Sequence, residues 1–200
     1  MKIDSRAIIR KNVRLKRKNL TITQQNQASI HLLEQLTKHA KVKFATKIAI
    51  YLANDGELNP QMFIQWCWQQ NKEVYLPVIH PFNKHNLLFL RYRHETNLVK
   101  NKFNIEEPEL NVSEVCPSEQ LDLIFTPLVA FDASGARLGM GGGFYDRTLT
   151  HWHNDKNKSI NSYPIGLAHD CQQVEKVPIE AWDIPLPEII TPSQVIQAVT

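Results

Sequence analysis

Two short apolar segments, separated by a segment of helix length, constrain the fold of this chain more than any other feature. Lys47–Ala53 and Glu73–Ile79 are apolar and rich in β-branched and aromatic residues, which predicts two buried strands. A turn signal at 54–56 follows the first strand, and 59–70 is predicted to form a helix. A strand–helix–strand succession predicts parallel strands joined by a crossover, and therefore an α/β sheet covered by helices.

The other segments extend this pattern over the whole chain. The polar segment 100–119 contains two prolines and is predicted to be a surface connection. No break in composition divides the chain, so residues 1–200 are predicted to form a single domain. The fold class is α/β: a three-layer, largely parallel, Rossmann-like sheet with helices on both faces. Three further helices are predicted: one at 5–19, one from a cap at Thr21 or Thr23 to about Ala40, and one from Phe144 to about Trp152. Further strands are predicted at Leu87–Tyr92, Leu121–Phe131, Tyr163–Ala168 and Ile189–Thr191.

Bulk composition excludes several classes of protein. A hydrophobic fraction of 42% and a charged fraction of 22% are close to globular averages and supply a real core. No run of 18 uncharged apolar residues is present, so we expect no membrane span, and the basic N-terminus lacks the apolar stretch of a secretory signal. The cysteines are Cys67, Cys116 and Cys171, whose number and spacing fit a reducing cytoplasm rather than a disulfide framework or a metal site.

Charge is distributed unevenly along the chain. Residues 1–20 hold eight basic side chains and one acidic side chain, whereas the other 180 residues hold 15 basic and 19 acidic groups. Arg6, Arg10, Arg14 and Arg17 recur at helical spacing and share one face of the predicted helix. A basic segment on a mildly acidic body indicates an anionic partner, and nucleic acid, a phosphate-bearing small molecule and anionic lipid all satisfy that description. A solvated helix face is the alternative interpretation.

Glycine is scarce in this chain but concentrated in one place. The sequence holds seven glycines, and five of them lie within 135–143, between a predicted strand and a predicted helix. Glycines at such a junction let successive backbone N–H groups surround an anion at the positive end of the helix dipole, which makes phosphate the natural ligand. The loop fits neither the Walker A nor the dinucleotide fingerprint, because Phe144 stands where each motif needs another residue. A purely structural turn is the alternative.

Asp146 follows the last glycine by three residues and lies just inside the predicted helix. A carboxylate there stabilises the positive end of a helix. A carboxylate there is also suited to hold Mg²⁺ against a phosphate, because Mg²⁺ binds one or two carboxylates together with phosphate oxygens. The sequence alone leaves both roles open.

The segment Arg137–Asp146 resembles the R-L-G-x-G-x-G-[FY]-Y-D signature of the 5-formyltetrahydrofolate cyclo-ligase family, also called 5,10-methenyltetrahydrofolate synthetases. The basic helix around Arg6 and Arg10 is similar to the opening K-x-x-x-R helix of that family, with arginine in place of the lysine. The resemblance extends over about residues 5–192. The further similar pieces are Tyr51-Leu52, Gly56-Glu57, Glu107-Pro108, Thr126-Pro127 and Trp182-Asp183.

The resemblance implies an ATP-dependent ligase of one-carbon metabolism. Such an enzyme cyclises 5-formyltetrahydrofolate to 5,10-methenyltetrahydrofolate and releases ADP and phosphate, through phosphorylation of the formyl oxygen. The expected cofactors are ATP and Mg²⁺, and the expected substrate is 5-formyltetrahydrofolate with one or several glutamyl groups. We expect a cytoplasmic monomer without a nucleic-acid or membrane partner.

The resemblance also assigns residues. Glu57 is expected to hydrogen-bond the pterin, and Asp146 and Asp183 are expected to bind Mg²⁺. Arg10, Arg137 and Tyr145 are expected to be catalytic. The expected ATP-binding residues are Arg6, Arg10, Arg137, Leu138, Gly139, Met140, Gly141, Gly142, Gly143, Phe144 and Tyr145. The expected folate-binding residues are Arg10, Leu52, Glu57, Met140, Gly141, Gly142, Gly143 and Phe144.

The loop departs from the family pattern at two positions. Members of the family often read G-R-G-K-G, whereas this chain has Met140 and Gly142 in place of the two cations. This departure keeps open a second hypothesis, that the protein is a non-catalytic relative that binds folate or nucleotide. A third hypothesis, from a different class, is a nucleic-acid-binding module that uses residues 2–18.

Overall fold

The computed structural model describes residues 5–83, 86–155 and 162–198. The helices are α1 (Ser5–Lys18), α2 (Ile22–Lys38), α3 (Ala40–Phe44), α4 (Gln61–Gln69) and α5 (Phe144–Asn154). The strands are β1 (Lys47–Ala49), β2 (Glu73–Ile79), β3 (Leu87–Tyr92), β4 (Leu98–Lys100), β5 (Glu106–Pro108), β6 (Val115–Cys116), β7 (Leu123–Pro127), β8 (Ala130–Phe131), β9 (Arg137–Leu138), β10 (Tyr163–Leu167), β11 (Glu188–Ile190) and β12 (Val195–Gln197).

An eight-stranded sheet forms the centre of the molecule, in the order β12-β11-β10-β7-β1-β2-β3-β6. The five strands from β11 to β2 are parallel, and antiparallel pairs occur only toward the two edges. Ile48 of β1 lies opposite Val74 of β2 and Leu123 of β7. The predicted strand–helix–strand unit is therefore confirmed, with α4 as its crossover, and so is the largely parallel sheet.

Helices cover both faces of this sheet, as predicted. Successive residues of a strand point to opposite faces: Ile48 and Ile50 belong to a core cluster with residues of α2, α3 and α4, whereas Ala49 belongs to a second cluster with Leu149 of α5. Both faces of β1 are thus buried, which explains why its sequence is a continuous apolar run rather than an alternating one. None of the described helices is long and apolar enough to cross a membrane.

Helix α1 packs apart from these two layers. Its Val13 is 2% exposed and packs against Val129, Ala130, Ala136 and Leu138, which belong to or flank the two-stranded hairpin of β8 and β9. The hairpin follows the carboxyl end of the central strand β7, where α/β sheets bind their ligands. Helix α1 therefore lies beside the edge of the sheet at which a site is expected.

The prediction of one continuous strand over Leu121–Phe131 is wrong. The chain leaves the sheet after Pro127, which has no backbone N–H to donate to a neighbouring strand, and then forms β8, which pairs with β9. The side-chain amide of Gln172 donates to the carbonyl oxygens of Leu128 at 2.6 Å and Val129 at 3.0 Å, so the break leaves these buried acceptors satisfied.

Other boundaries also differ from the sequence predictions. The first strand ends at Ala49 rather than Ala53, although the N–H of Ile50 still donates to Tyr75 O at 2.9 Å. The predicted surface connection 100–119 contains β5 and the edge strand β6. The C-terminal strand β12 was not predicted. These elements are two or three residues long, too short for a period-two pattern to mark.

Candidate functional site

The glycine-rich segment serves two purposes. Gly135 lies in the turn between β8 and β9, where its φ of 81° favours glycine and where a Cβ would collide with the carbonyl oxygen of Leu186. The glycines from Gly139 to Gly143 come after the hairpin and lead into α5. The sequence therefore placed five glycines in one loop, but the first of them closes a hairpin, and the remaining four form the candidate phosphate site.

The loop 139–143 is open to solvent. An added Cβ would meet no atom within 4 Å at Gly139 or Gly141, and Met140 is 55% exposed. Gly141 and Gly143 have φ values of 101° and 64°, which favour glycine, and Gly143 is the residue that caps the N-terminus of α5. A flexible backbone beside the positive end of an eleven-residue helix is suited to bind phosphate.

Two arginines hold the carbonyl groups of this loop. Arg10 of α1 donates from Nε to Gly139 O at 2.8 Å. Arg147 of α5 donates from Nη2 to Gly142 O and lies over the ring of Phe144. Two carbonyl groups of the loop are therefore each held by an arginine, one from α1 and one from α5.

Arg137 is a buried cation at the start of the loop. Its side chain is 3% exposed, and Nη2 lies 3.0 Å from Asp146 Oδ1. Its buried Nε has no hydrogen-bond partner among the described residues. Burial lowers the pKa of Arg137, and the carboxylates of Asp146 and Asp183 oppose that effect. The predicted catalytic arginine thus lies at the start of the loop and retains an N–H donor, at Nε, that no described residue accepts.

The two predicted metal ligands both interact with arginines. Asp183 accepts from both Nη atoms of Arg6, at 2.5 Å and 3.0 Å, and from the backbone N–H of Glu180 at 2.8 Å. Burial disfavours the ionised carboxyl, but the hydrogen bonds from Arg6 and the Glu180 backbone, together with the charges of Arg6 and Arg137, lower the pKa of Asp183. Asp146 meets Arg137 and accepts from the N–H of Ile184 at 3.2 Å. Elements far apart in sequence therefore bring Asp146 and Asp183 near Arg137.

Glu57 lies on a tight turn after β1. Its N–H donates to Asn54 O at 3.0 Å, and the N–H of Asn54 donates back to Glu57 Oε2 at 3.1 Å. Burial raises the pKa of Glu57 to about 7, although the backbone hydrogen bond from Asn54 and the charge of Arg17 oppose the change. The predicted substrate carboxylate is therefore close to half-ionised at neutral pH.

Two tyrosines lie near this carboxyl group. Burial and then the charge of Glu57 raise the pKa of Tyr145, and the same two effects act on Tyr51. Tyr145 belongs to the first turn of α5, directly after the glycine-rich loop, whereas Leu52 packs against the hydrophobic core. The end of the glycine-rich loop and the carboxyl group of Glu57 are therefore near each other.

The sequence did not indicate the group that anchors the Glu57 turn. Asp55 accepts from Arg14 Nε at 2.7 Å and from Arg17 Nη2 at 2.9 Å, and lies 2.7 Å from Lys18 Nζ. The helical spacing of the arginines was visible in the sequence, but we interpreted Asp55 only as a turn residue. Much of the basic charge of α1 is therefore used within the molecule.

His169 is a second residue that the sequence did not indicate. It is 3% exposed and lies against the backbone of Gly56 and Glu57. Burial and the positive charge of Arg17 lower the pKa of His169 to about 4, so the ring is neutral at physiological pH. No sequence motif surrounds this histidine.

The fold and the site together define an α/β protein with a glycine-rich loop and a helix N-terminus after its central strand, and with the carboxyl group of Glu57 near the end of that loop. A family model described as the 5-formyltetrahydrofolate cyclo-ligase family matches residues 2–192. The chain belongs to this family, which confirms the resemblance seen in the Arg137–Asp146 segment.

Individual relatives agree with the family match. The chain is 51% identical to 5-formyltetrahydrofolate cyclo-ligase of Haemophilus influenzae over 190 residues, which cover 95% of this chain and 99% of the relative. It is 49% identical to the enzyme of the same name from Escherichia coli K12 over 183 residues, which cover 92% and 98%. The solved structure of Aquifex aeolicus 5,10-methenyltetrahydrofolate synthetase superposes with a TM-score of 0.79 at 30% identity and covers 96% of this chain and 92% of that one.

Proposed function

We propose that this protein catalyses the ATP-dependent cyclisation of 5-formyltetrahydrofolate to 5,10-methenyltetrahydrofolate, with release of ADP and phosphate. The observation that carries the proposal is that α1 contacts both parts of the site: Arg10 binds Gly139 of the glycine-rich loop, and Arg17 binds the turn that presents Glu57. Membership of a family of ATP-dependent cyclo-ligases supports the same reaction.

The reaction needs positioning and charge neutralisation more than a nucleophilic side chain. The formyl oxygen attacks the γ-phosphoryl group of ATP, so an O–P bond forms, the bond to the β-phosphate breaks, and ADP leaves. N10 then attacks the former formyl carbon, loses its proton, and expels the oxygen as inorganic phosphate. Phosphorylation is necessary because an amide-like oxygen is a poor leaving group. Enzymes accelerate phosphoryl transfer chiefly by alignment and electrostatic stabilisation.

The glycine-rich loop is the proposed binding site for the phosphates. Its open backbone and the N-terminus of α5 supply N–H donors, and Arg10 and Arg137 supply positive charge at its two sides. Met140 to Phe144 would also face the formyl group. Tyr145 follows the loop and lies near Glu57, so its phenol would lie between the nucleotide and the folate.

Glu57 is the proposed ligand of the pterin ring. A carboxylate can accept two hydrogen bonds from an aminopyrimidine edge, and the half-buried position of Glu57 strengthens such bonds. Leu52 would supply apolar contact at the start of the same segment. The pKa of about 7 makes this interaction dependent on pH in the physiological range.

Mg²⁺ is proposed as the metal, and the two expected ligands fit it unequally. The contacts of Asp146 within the described chain use only Oδ1, so Oδ2 is left for a cation. Both oxygens of Asp183 accept from Arg6, so Asp183 can bind a metal only after this ion pair opens. No cluster of three or more His, Cys, Asp or Glu ligands occurs among the described residues, which fits a metal held partly by phosphate oxygens. When bound, Mg²⁺ would neutralise phosphate charge.

The opening of the Arg6–Asp183 pair would serve ATP and metal together. Arg6 is an expected ATP ligand and Asp183 is an expected Mg²⁺ ligand. In this structure the two side chains form an ion pair with each other. A Mg²⁺ ion that took Asp183 would release Arg6 toward a phosphate. We therefore propose that the pair holds both residues in place until MgATP replaces it.

The remaining proposals concern partners and location. We propose a cytoplasmic monomer that accepts monoglutamyl and polyglutamyl substrate and has no nucleic-acid or membrane partner. Three free cysteines support a reducing compartment. The ion pairs of Arg6, Arg14, Arg17 and Lys18 support the absence of a nucleic-acid role, because carboxylates of the same chain already neutralise these cations.

A direct assay tests the proposed activity. Protein, MgATP and 5-formyltetrahydrofolate are mixed at neutral pH, and the near-ultraviolet absorbance of the methenyl product is followed. We expect absorbance to rise only when ATP is present, with one ADP and one phosphate formed per product. No ATP-dependent product at high enzyme concentration would refute the proposal.

A non-catalytic binding protein is the second candidate, and Met140 and Gly142 favour it because they remove two cations from the loop. Calorimetry distinguishes the candidates. Tight binding of 5-formyltetrahydrofolate without turnover supports the binding protein. Turnover that is lost in Arg10→Ala supports the enzyme.

A further inference from the structure

The turn that presents Glu57 has positive φ angles at two successive residues and is held by contacts with other segments. Asp55 has a φ of 52°, in the left-handed region that residues other than glycine rarely adopt, and Gly56 follows with a φ of 73°. Such conformations persist where surrounding contacts determine them, and they are common at functional sites. The contacts that hold this turn are therefore informative about the position of Glu57.

Three cations of α1 meet the carboxylate of Asp55. Arg14 Nε and Arg17 Nη2 donate to Oδ2 at 2.7 Å and 2.9 Å, and Lys18 Nζ lies 2.7 Å from Oδ1. Arg17 Nε also donates to the backbone oxygen of Asp55 at 3.0 Å. The Asp55 side chain is 15% exposed and that of Arg17 is 0% exposed, so solvent screens their pair only weakly.

The turn also packs directly on this helix. A Cβ added at Gly56 would lie 3.6 Å from the backbone oxygen of Arg17 and 3.7 Å from its Cγ, so α1 and the turn are in close contact. His169 lies against the backbone of Gly56 and Glu57 from another segment. Glu57, the residue after Gly56, has little freedom to move relative to α1.

The same helix reaches the glycine-rich loop. Arg10 and Arg17 are seven residues apart, or about 10 Å along a helix, and share one face. Arg10 holds Gly139 O at 2.8 Å, and Arg17 holds Asp55. A single rigid element therefore fixes the distance between the two parts of the site.

We propose that Asp55 is the positioning residue for Glu57: it fastens the turn to α1, so that the helix that contacts the glycine-rich loop also sets the place of the folate carboxylate. The proposal rests on the proposed function only in that Glu57 is taken as the residue that binds the folate. Asp55 itself need not touch either substrate. Arg14, Arg17 and Lys18 act through it.

The electrostatic environment of Glu57 provides a readout that a purely structural role would not change. The charges that act on Glu57 are those of Asp55 and Arg17. The other titratable groups near it are Tyr51 and Tyr145, whose pKa values the charge of Glu57 raises, and His169, which lies against the backbone of Gly56 and Glu57. Asp55 raises the pKa of Glu57 and Arg17 lowers it. Loss of the Asp55 charge must therefore shift the titration of Glu57 to lower pH.

Asp55→Asn is the principal test, with steady-state kinetics on both substrates. We expect KM for 5-formyltetrahydrofolate to rise by about ten- to a hundredfold, because small displacements of a binding group have effects of that order. KM for ATP should change less than twofold, and the pH midpoint of the folate KM should fall below that of the wild type. Lys18→Gln, at an exposed position, should raise KM for 5-formyltetrahydrofolate by a smaller factor. It should not lower the pH midpoint, because it removes a positive charge rather than a negative one. Glu114→Gln, which removes the surface carboxylate that Arg93 contacts, is the matched control and should change neither.

Equilibrium binding of 5-formyltetrahydrofolate without ATP, measured by calorimetry, keeps the test independent of turnover. Weaker binding by Asp55→Asn supports the proposal even if kcat is unaffected. An unchanged folate affinity in a folded Asp55→Asn protein overturns it, as does an equal rise in KM for ATP. A wild type that binds folate but forms no product refutes the proposed activity and leaves this inference standing. A wild type that does not bind folate refutes both.

Discussion

The glycine-rich loop at 139–143 and the turn at 54–57 are the two parts of the proposed site, and they are built in opposite ways. The loop is exposed, and no atom lies within 4 Å of a Cβ placed at Gly139 or Gly141. The turn is held by Asp55, which accepts from or contacts three cations within 3 Å. The loop therefore makes few contacts of its own and would gain them from a ligand, whereas the turn is already fixed by contacts within the protein.

This difference indicates how binding energy is divided between the two substrates. A preorganised group loses little conformational entropy when it binds, so the turn should bind folate without nucleotide. An open loop must be ordered when phosphate enters it, so its affinity depends on the charges that draw the phosphate in. Changes to the loop should therefore alter ATP kinetics, and changes to the turn should alter folate kinetics.

Arg10→Ala should produce the largest effect, because this residue holds the loop and is expected to touch ATP. We expect kcat/KM for ATP to fall on the order of a thousandfold, the scale of losing a cation aligned with a transferring phosphoryl group. Steady-state rates at saturating folate measure it. Lys11→Ala removes the neighbouring exposed cation and should retain wild-type rates. An equal fall in both variants would mean that the total charge of α1, rather than Arg10, is responsible.

Loss of a metal ligand should have the next largest effect among the substitutions. The reference is the metal-free protein, in which a chelator should abolish turnover and Mg²⁺ should restore it. Asp146→Asn should raise the Mg²⁺ concentration for half-maximal rate by about tenfold or more, because it removes the carboxylate oxygen that remains available. Asp183→Asn tests whether the Arg6 pair opens: a shift in Mg²⁺ dependence shows that it does. An unchanged dependence shows that Asp183 only holds Arg6.

The ionisation of Glu57 should make folate binding dependent on pH. Since its pKa is about 7, the carboxyl is largely protonated at pH 6 and ionised at pH 8. Only the carboxylate accepts both hydrogen bonds from the pterin, so KM for folate should fall by roughly tenfold as pH rises across this range. Glu57→Gln should remove the dependence. A profile that persists in Glu57→Gln would assign the titration to another group.

The same shift has the opposite sign for stability. A carboxyl whose pKa is raised in the folded protein ionises first in the unfolded chain, near its ordinary value of 4.5. The unfolded state therefore binds fewer protons between about pH 4.5 and 7, and the contribution of Glu57 to the free energy of unfolding falls as pH rises through that window. Denaturant unfolding at pH 5 and pH 7 should show a smaller difference in Glu57→Gln than in the wild type.

The two parts of the site also differ in how well the sequence predicts them. The loop was found because glycine clustering and the Arg137–Asp146 motif are local patterns. The anchoring of the turn was missed because Asp55 is bound by residues 38 and 41 positions away. A carboxylate in a turn has no local signal for its partners, and helical arginine spacing does not reveal which acid they meet.

The fold shows the same division. The strands β2 and β3 have the predicted bounds, since long apolar runs fix them. The break after Pro127 was not predicted, because the run from Leu121 to Phe131 is predominantly apolar on both sides of Pro127 and its second half is buried against α1 rather than in the sheet. A buried segment has an apolar sequence whether it is a strand of the main sheet or part of a hairpin beside the sheet, so the sequence pattern does not distinguish the two.

The smallest expected effect concerns the charge missing from the loop. Met140 is 55% exposed, so Met140→Arg can be accommodated and should raise kcat/KM for ATP by about two- to fivefold, the scale of an exposed charge interaction. Gly142→Lys should not reproduce this gain, because a Cβ at that position would lie 2.7 Å from the ring of Phe144, which must then move away from its contacts with Phe103 and Arg147. Met140→Gln is the uncharged control. The gain in Met140→Arg should shrink as salt is added, since solvent ions screen an exposed cation. If Met140→Gln gives the same gain, side-chain size rather than charge limits the loop.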